Sequence, residues 1–385
     1  MRPKRATMTC KVIFLFGCCV GLLTATDRPT KTLSATSQGR SAGSDFAIEA
    51  GVLYCASDYD DRLYALRADT GEEVWSAPAP GGSTQVGPVA ADGHLFLAGG
   101  GAFQTVYDLE SSNGHLRWSA NVRASILIPG PDKLFVNSEE PGTVIALDMT
   151  SGARAWSSTA YRDSHYVGAL AYRSGMLFTD MEALDAFSGR KLWKWPKGLN
   201  VEKITFSGQY VIVGADNGEV STFDAKSGLL RWRSAPTQKN RLGGVVAGQK
   251  AVFVVRYDDY PDEAHNGTLS ALNLNNGKVL WRLPIASRTH ALLSDPLALY
   301  NGKLYLLRPD DGTSTGDDIV ALDTSTGHAL WIYTSGRGLS GPPVAQDGLV
   351  YVSAAGEMWL AVEEGSGHLS WSFAAPTKSR VGGHR

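Results

Sequence analysis

A glycine followed four positions later by a tryptophan recurs along this chain and limits its fold more than any other feature. The pair occurs eight times, and successive tryptophans are separated by 43, 38, 37, 39, 49, 50 and 40 residues. A nearly constant period of this length is typical of repeat architectures rather than of independent domains. The pairs are Gly71 and Trp75, Gly114 and Trp118, Gly152 and Trp156, Gly189 and Trp193, Gly228 and Trp232, Gly277 and Trp281, Gly327 and Trp331, and Gly367 and Trp371.

Each unit contains short extended segments joined by turns. In the seventh unit, strands are predicted over 302–306 and 319–323, and a glycine turn leads into the tryptophan strand at 325–331. A further short strand precedes each unit, so four strands, A to D, fit in about 40 residues without any helical period. The glycine permits a positive φ in the C–D turn, and we expect the tryptophan to pack between neighbouring sheets with its N–H on a carbonyl. Short carboxylates and amides eight positions before the tryptophan are expected to accept backbone N–H groups of that turn. The residues at this position are Arg67, Glu110, Asp148, Asp185, Asp224, Asn273, Asp323 and Glu363.

A four-stranded unit cannot bury both of its faces alone, whereas eight units arranged radially cover one another. The sequence therefore predicts an all-β, eight-bladed β-propeller of antiparallel blades over residues 46–375. Residues 26–45, rich in Thr, Ser and Gly, are interpreted as a flexible linker, and 376–385 as a C-terminal tail. The repeat phase predicts that the ring closes between strand D of blade 8 and strand A of blade 1, without a shared strand.

Residues 1–25 read as a secretory signal peptide, with a basic start and an apolar run from Val12 to Leu23. Cys18 and Cys19 are either leader cysteines removed on cleavage or the lipid-anchor site of a lipoprotein. Cleavage near Ala25 leaves Cys55 alone, as a small core residue. Removing the four basic leader residues leaves 32 basic and 38 acidic residues, a net charge of −6, which argues against nucleic-acid binding. The protein is expected outside the cytoplasm.

The repeat resembles that of the PQQ-like (quinoprotein-like) propeller family. Residues 51–54, 63–66 and 70–75 carry its Gly-x-Leu-Tyr, Leu-Tyr-Ala-Leu and Thr-Gly-x-x-x-Trp segments in full. The resemblance extends over roughly 330 residues and is specific for the fold, but not for function.

Three functions are found among proteins with this repeat, and each is an expectation here. Quinone-dependent dehydrogenases hold PQQ and Ca²⁺ in the propeller funnel; the propeller lipoprotein of the outer-membrane β-barrel assembly machine is a scaffold; other propellers are sensor modules of bacterial kinases. The dehydrogenases usually carry a vicinal disulfide beside the cofactor, whereas the only adjacent cysteines here lie in the leader. The first choice is therefore a non-enzymatic scaffold without a cofactor, and the alternatives are a PQQ-dependent dehydrogenase and a sensor.

Two B–C loops, at 257–265 in blade 6 and 308–318 in blade 7, are longer than the others and acidic. Clustered carboxylates can hold Ca²⁺, although the spacing does not fit an EF-hand and such runs are usually solvated. The metal-ligand candidates are Asp310, Asp311, Asp317 and Asp318.

Polar and basic residues recur nine or ten positions after successive tryptophans, where strand A is predicted to begin. Strands A line the central channel of a propeller, so these side chains are expected to ring one channel mouth, either as a solvated funnel or as a site for an anionic ligand or peptide. The candidates, with Arg123 close by, are Gln85, Arg123, His165, Lys203, Arg241 and His290. Lys203, Arg241 and His290 are predicted to form a positive patch. The expected partner is another envelope or secreted protein, or a small anionic ligand.

Overall fold

The computed structural model describes residues 46–82, 84–100, 105–138, 142–159, 169–235, 240–258, 267–285, 295–310 and 316–377. These residues form thirty-two strands and no helix. Accordingly, none of them belongs to a helix long and apolar enough to cross a membrane.

The strands group into eight antiparallel sheets of four, and in each sheet the strands lie side by side in sequence order. Blades 1 to 4 contain β1 Phe46–Glu49, β2 Val52–Ser57, β3 Arg62–Arg67, β4 Glu73–Pro78; β5 Thr84–Ala91, β6 His94–Gly99, β7 Thr105–Glu110, β8 Leu116–Ala120; β9 Ala124–Pro129, β10 Lys133–Ser138, β11 Thr143–Asp148, β12 Arg154–Thr159; β13 Leu170–Arg173, β14 Met176–Thr179, β15 Glu182–Asp185 and β16 Lys191–Lys194. Blades 5 to 8 contain β17 Val201–Ser207, β18 Tyr210–Ala215, β19 Val220–Asp224, β20 Leu230–Arg233; β21 Asn240–Ala247, β22 Ala251–Asp258, β23 Gly267–Asn273, β24 Val279–Ile285; β25 Leu297–Tyr300, β26 Lys303–Arg308, β27 Asp318–Asp323, β28 Ala329–Thr334; β29 Leu339–Gln346, β30 Leu349–Ala354, β31 Met358–Glu363 and β32 Leu369–Ala374.

The predicted eight-bladed β-propeller is confirmed. The core is a series of apolar layers between neighbouring sheets, because strands B and C carry long buried runs such as Leu53–Ala56 and Val252–Val255. Strands A of neighbouring blades contact one another and form the inner wall, whereas strands D are largely exposed at the outer rim.

Each repeat tryptophan docks onto the C–D turn of the following blade. Its indole Nε1 donates to a backbone oxygen of that turn at 2.6–3.2 Å in all eight cases. The turn glycine has φ between 69° and 75°, and a Cβ added to it would lie 2.5–2.8 Å from the docked indole. The glycine therefore serves two purposes, a left-handed backbone and room for the ring, of which only the first is apparent within one repeat.

The same docking closes the ring between blade 8 and blade 1. Trp371 donates to Ala68 O at 3.0 Å and covers Gly71, while the Tyr351 hydroxyl donates to the same oxygen. Blade 1 consists of β1–β4 and blade 8 of β29–β32, so neither sheet contains a strand from the opposite end of the described chain.

The polar residue eight positions before the tryptophan accepts turn N–H groups in five blades. Its side-chain oxygen binds backbone N–H groups two or three residues later at Asp148, Asp185, Asp224, Asn273 and Asp323. Hydrogen bonds from Ser325 and Thr326 lower the pKa of Asp323 to about 2. Arg67 departs from the pattern, since its side chain pairs with Asp69 at 2.8 Å.

Candidate functional site

The channel mouth beside blades 5, 6 and 7 contains a buried ion pair. Lys203, on strand A of blade 5, is 5% exposed, and its Nζ lies 2.6 Å from Asp295 Oδ2, 92 residues later and just before strand A of blade 7. Burial raises the pKa of Asp295, and the Lys203 ammonium opposes that rise. The side chain of Lys203 therefore bridges blades 5 and 7 and is not an exposed cation.

Two glycines of blade 6 make room for the Asp295 segment. Gly243 O accepts the Asp295 backbone N–H at 3.0 Å, and Asp295 itself has φ +53°. A Cβ on Gly244 would lie 3.1 Å from Pro296 Cδ. A side chain at Gly244 would press on the Asp295–Pro296 segment, so the small residues of strand A in blade 6 allow the ion pair to form.

Further charges surround this ion pair and change the predicted positive patch. Burial raises the pKa of Glu202, Asp216 adds to the rise, and Lys203 and Arg241 oppose it. Arg241 is exposed on strand A of blade 6. Around Lys203 and Arg241, the described residues thus provide three carboxylates, Glu202, Asp216 and Asp295, so this part of the mouth carries mixed charge rather than a surplus of positive charge.

Of the other four candidates for the channel mouth, two lie among the described residues. Gln85 lies on strand A of blade 2, at the predicted position, and Arg123 is exposed immediately before strand A of blade 3. His165 and His290 lie outside the described residues. A ring of binding residues therefore stays a prediction.

The acidic loop of blade 7 uses its carboxylates in internal hydrogen bonds. Asp317 accepts the backbone N–H groups of Asp310 at 2.9 Å and of Leu339 at 2.8 Å, one on each oxygen. Asp318 accepts from Arg308 and from Thr334 Oγ1, the latter at 2.7 Å. Asp311 lies outside the described residues. These bonds account for Asp317 and Asp318 as loop anchors, and the metal site stays a prediction.

A quinone with its calcium ion would need several oxygen ligands in the channel. Within the described ranges, no three His, Cys, Asp or Glu side chains come together as metal ligands. Asp295, the buried carboxylate of the channel, already binds Lys203. The described residues therefore show no preformed cluster of acidic calcium ligands, and quinone binding stays a prediction.

Two charged positions outside the predicted set occupy equivalent places in blades 6 and 7. Arg256 in β22 and Arg308 in β26 each stand three residues after the aromatic residue of strand B, Phe253 and Tyr305. Their signal in the sequence is an arginine that ends an otherwise apolar run. Arg308 faces Asp318 across the sheet, whereas Arg256 faces Thr268.

Comparison with known proteins gives the same fold and adds a family. The family model for outer membrane protein assembly factor BamB matches residues 20–164, 140–308 and 265–384. Outer membrane protein assembly factor BamB of Burkholderia pseudomallei is 27% identical over 80% of this chain and 86% of its own length. Tetrathionate hydrolase of Acidithiobacillus ferrooxidans is 24% identical over 81% of this chain and 70% of its own length.

Among solved structures, the quinohemoprotein alcohol dehydrogenase ADHIIG of Pseudomonas putida superimposes with a TM-score of 0.60, at 13% identity, over 85% of this chain and 71% of that one. At that identity the likeness concerns the fold alone. The family model, in contrast, covers the described chain from end to end in three overlapping segments. The chain belongs to the propeller family of outer membrane protein assembly factor BamB.

Proposed function

We propose that this chain is a non-enzymatic scaffold that binds other proteins in the assembly of outer-membrane proteins. The observation that carries the proposal is the family match along all eight blades. The channel agrees with it, because Lys203 and Asp295 bind one another there instead of facing a substrate as separate charges. A scaffold requires a rigid ring with exposed loops, and the eight docked tryptophans provide that rigidity.

The proposal places the protein outside the cytoplasm, facing the outer membrane. The predicted leader at 1–25 agrees with this location, and Cys18 or Cys19 would supply a lipid anchor if the leader is processed as that of a lipoprotein. Mass spectrometry of the mature N-terminus distinguishes lipidated Cys18 or Cys19 from cleavage near Ala25.

The partner is expected at the mouth that carries Arg123 and Arg241. Both side chains are exposed on the face formed by the D–A and B–C connections. Exposed charges at a binding surface act mainly on the encounter rate and on specificity. With carboxylates close to Arg241, the partner segment should itself carry both signs of charge.

Capture of envelope proteins by the immobilised full chain tests this proposal. We expect enrichment of a component of the outer-membrane assembly machinery, weakened by Arg123→Glu with Arg241→Glu. Lys226→Glu, an exposed charge reversal on the opposite face in the C–D turn of blade 5, is the matched control. Equal capture by the mouth variant and by Lys226→Glu would show that the channel mouth is not the binding surface. Capture of no assembly component by the full chain would contradict the scaffold function.

An oxidoreductase with a bound quinone, which the resemblance of the repeat to quinoproteins implies, is the second candidate. Titration of the purified chain with PQQ and Ca²⁺, followed by absorbance and by dye-linked alcohol oxidation, separates the two candidates. The scaffold proposal expects no turnover; stoichiometric quinone binding with turnover would replace it.

A further inference from the structure

The interface between blades 5 and 6 contains an arginine that lacks an acidic partner among the described residues. Arg256 is half-buried, and its Nε donates to Gly218 O at 2.7 Å, while Nη2 lies 3.4 Å from Ser234 Oγ. Both acceptors are uncharged. They fix the guanidinium in position without neutralising it.

The surroundings of Arg256 make this charge costly. Val254, two residues earlier on the same face of β22, packs with Val220 and Trp232 in an apolar cluster. Burial, together with the like charge of Arg282, lowers the pKa of Arg256 to about 10. A guanidinium taken out of water beside another cation is unfavourable unless an anion compensates it.

The equivalent arginine of blade 7 has its anion within the fold. Arg308 binds Asp318 through Nε at 3.1 Å and also through Nη2, and the Asp318 side chain is 7% exposed. Arg256 and Arg308 occupy the same register position, but the residue opposite Arg256 is Thr268. Blade 6 therefore keeps the cation of this arrangement and lacks the carboxylate.

We propose that Arg256 and Arg282, at the interface between blades 5 and 6, bind an oxyanion, a phosphate or a carboxylate group. Arg256 presents its remaining N–H donors in a planar fork that matches two oxygens of such a group. Arg282 is exposed on β24, opposite Ser270, and adds a second positive charge beside Arg256. Arg256 pairs across the sheet with Leu242 of strand A, and the proposal does not rest on the scaffold function.

Substitution of Thr268 tests the site with little change of shape. Thr268→Asp places in blade 6 the carboxylate that blade 7 has at Asp318, so it should occupy Arg256 from within. Thr268→Asn is the uncharged control of the same size. Isothermal titration with inorganic phosphate, and separately with acetate, at constant ionic strength measures binding, and the arm with the tighter binding identifies the oxyanion.

We expect saturable one-site binding to the full chain and to Thr268→Asn, and a loss of about tenfold or more in affinity for Thr268→Asp. Arg282→Gln, at an exposed position, should weaken binding without lowering the unfolding midpoint, which keeps the test valid if Thr268→Asp folds poorly. Equal affinities for Thr268→Asp and Thr268→Asn, or no saturable binding to the full chain, would overturn the proposal.

The chain could also supply the anion itself, since Asp259, Asp262 and Glu263 come soon after β22 in the sequence and lie outside the described residues. A variant with Asn, Asn and Gln at these three positions distinguishes this case. Binding seen only in that variant would mean an internal occupant and would overturn the proposal, whereas equal binding to that variant and to the full chain supports an external oxyanion.

Discussion

Blades 6 and 7 carry an arginine at the same position of strand B and treat its charge differently. In blade 7, Arg308 is bound by Asp318, which also accepts from Thr334. In blade 6, Arg256 meets a carbonyl and a hydroxyl, and Thr268 stands where the carboxylate would be. Because the backbone register is the same, the difference lies in one residue of strand C, and it separates a structural ion pair from a cation available to a ligand.

The Lys203–Asp295 pair resembles the Arg308–Asp318 pair of blade 7, because the fold itself supplies the opposite charge. Both side chains are buried, at 6% and 13% exposure, and each compensates the charge of the other. Cations that the fold compensates hold blades together, while Arg256 adds a charge that stability alone does not require. Four substitutions, in order of expected effect, test how this protein compensates its buried charges and joins its blades.

The largest loss is expected when Lys203 is removed from its pair. Lys203→Met leaves Asp295 buried without a partner, which should cost about 3–5 kcal/mol at neutral pH. Since burial raises the pKa of Asp295 in the folded protein, stability should fall as pH rises above about 4, where the unfolded carboxyl loses its proton. Urea denaturation at several pH values measures both effects.

The control for this prediction is Lys203→Met combined with Asp295→Asn. Asn accepts the positive φ of this position as readily as Asp, so the backbone is preserved. Most of the stability and the pH independence should return in the double variant. If the single variant is as stable as the wild type at neutral pH, the ion pair does not hold blades 5 and 7 together.

The contact between blades 6 and 7 gives the next effect. Gly327, in the turn of blade 7, has φ +75°, and its added Cβ would lie 2.8 Å from Trp281 of blade 6. Gly327→Ala should therefore cost about 2–5 kcal/mol, from the left-handed backbone and from displacement of the indole.

Gly302 in the same blade is the matched control. It has φ +74° with nothing within 4 Å of its added Cβ, so Gly302→Ala should cost only about 1–2 kcal/mol. Unfolding midpoints in guanidinium chloride compare the two variants. Equal losses would show that the indole yields without cost and that the backbone conformation alone selects glycine.

These cases show what the sequence could predict. The blade count, the positive φ of the turns and the need of each tryptophan N–H for a carbonyl partner follow from the pattern of the single repeat. The pattern does not predict that a side chain at Gly327 would collide with Trp281, because the two residues belong to different blades. The pairing of Lys203 with Asp295 depends on three successive strands A and on two glycines between them, which no single repeat contains.

The candidate site was predicted less completely for the same reason. The spacing after the tryptophans predicts Lys203 and Arg241 on strands A, where both lie. It does not show that Glu202 and Asp216 act on the same place, so the predicted positive patch carries mixed charge among the described residues. Arg256 and Arg308 look alike in the sequence, as each ends an apolar run. The strand register shows that Arg256 faces Thr268 and that Arg308 faces Asp318. This register cannot be read from the sequence, because the B–C loops of the two blades differ in length.

Asp318→Thr makes blade 7 resemble blade 6 and should have a moderate effect. It removes the carboxylate from Arg308, whose side chain is 33% exposed and can partly recover contact with water. We expect a loss of about 1.5–3 kcal/mol in the free energy of unfolding. The substitution should also create a phosphate-binding cation in blade 7, measured by the same titration as for blade 6. A variant that loses stability without gaining phosphate binding would show that register alone does not make the site.

The smallest effect is expected at the C–D turns, where the two blades also differ. Asp323 of blade 7 accepts from Ser325 and Thr326, which lowers its pKa to about 2, whereas blade 6 has Asn273 in the same place. A carboxyl whose pKa is lower in the folded than in the unfolded chain stabilises the fold above the unfolded value of about 3.9, and this contribution is lost as pH falls toward 2.

Asp323→Asn gives blade 7 the turn of blade 6, with an amide oxygen that still accepts the N–H groups. Stability at pH 7 should therefore change little, while the decline between pH 4 and about pH 2 becomes shallower, as followed by urea midpoints across that range. Asp92→Asn, at an exposed position in the A–B turn of blade 2 whose positive φ Asn also accepts, controls for the general loss of one acidic charge. If the stability of Asp323→Asn declines with falling pH as steeply as that of the wild type, the hydrogen bonds of this turn do not stabilise the Asp323 carboxylate more than the neutral amide found in blade 6.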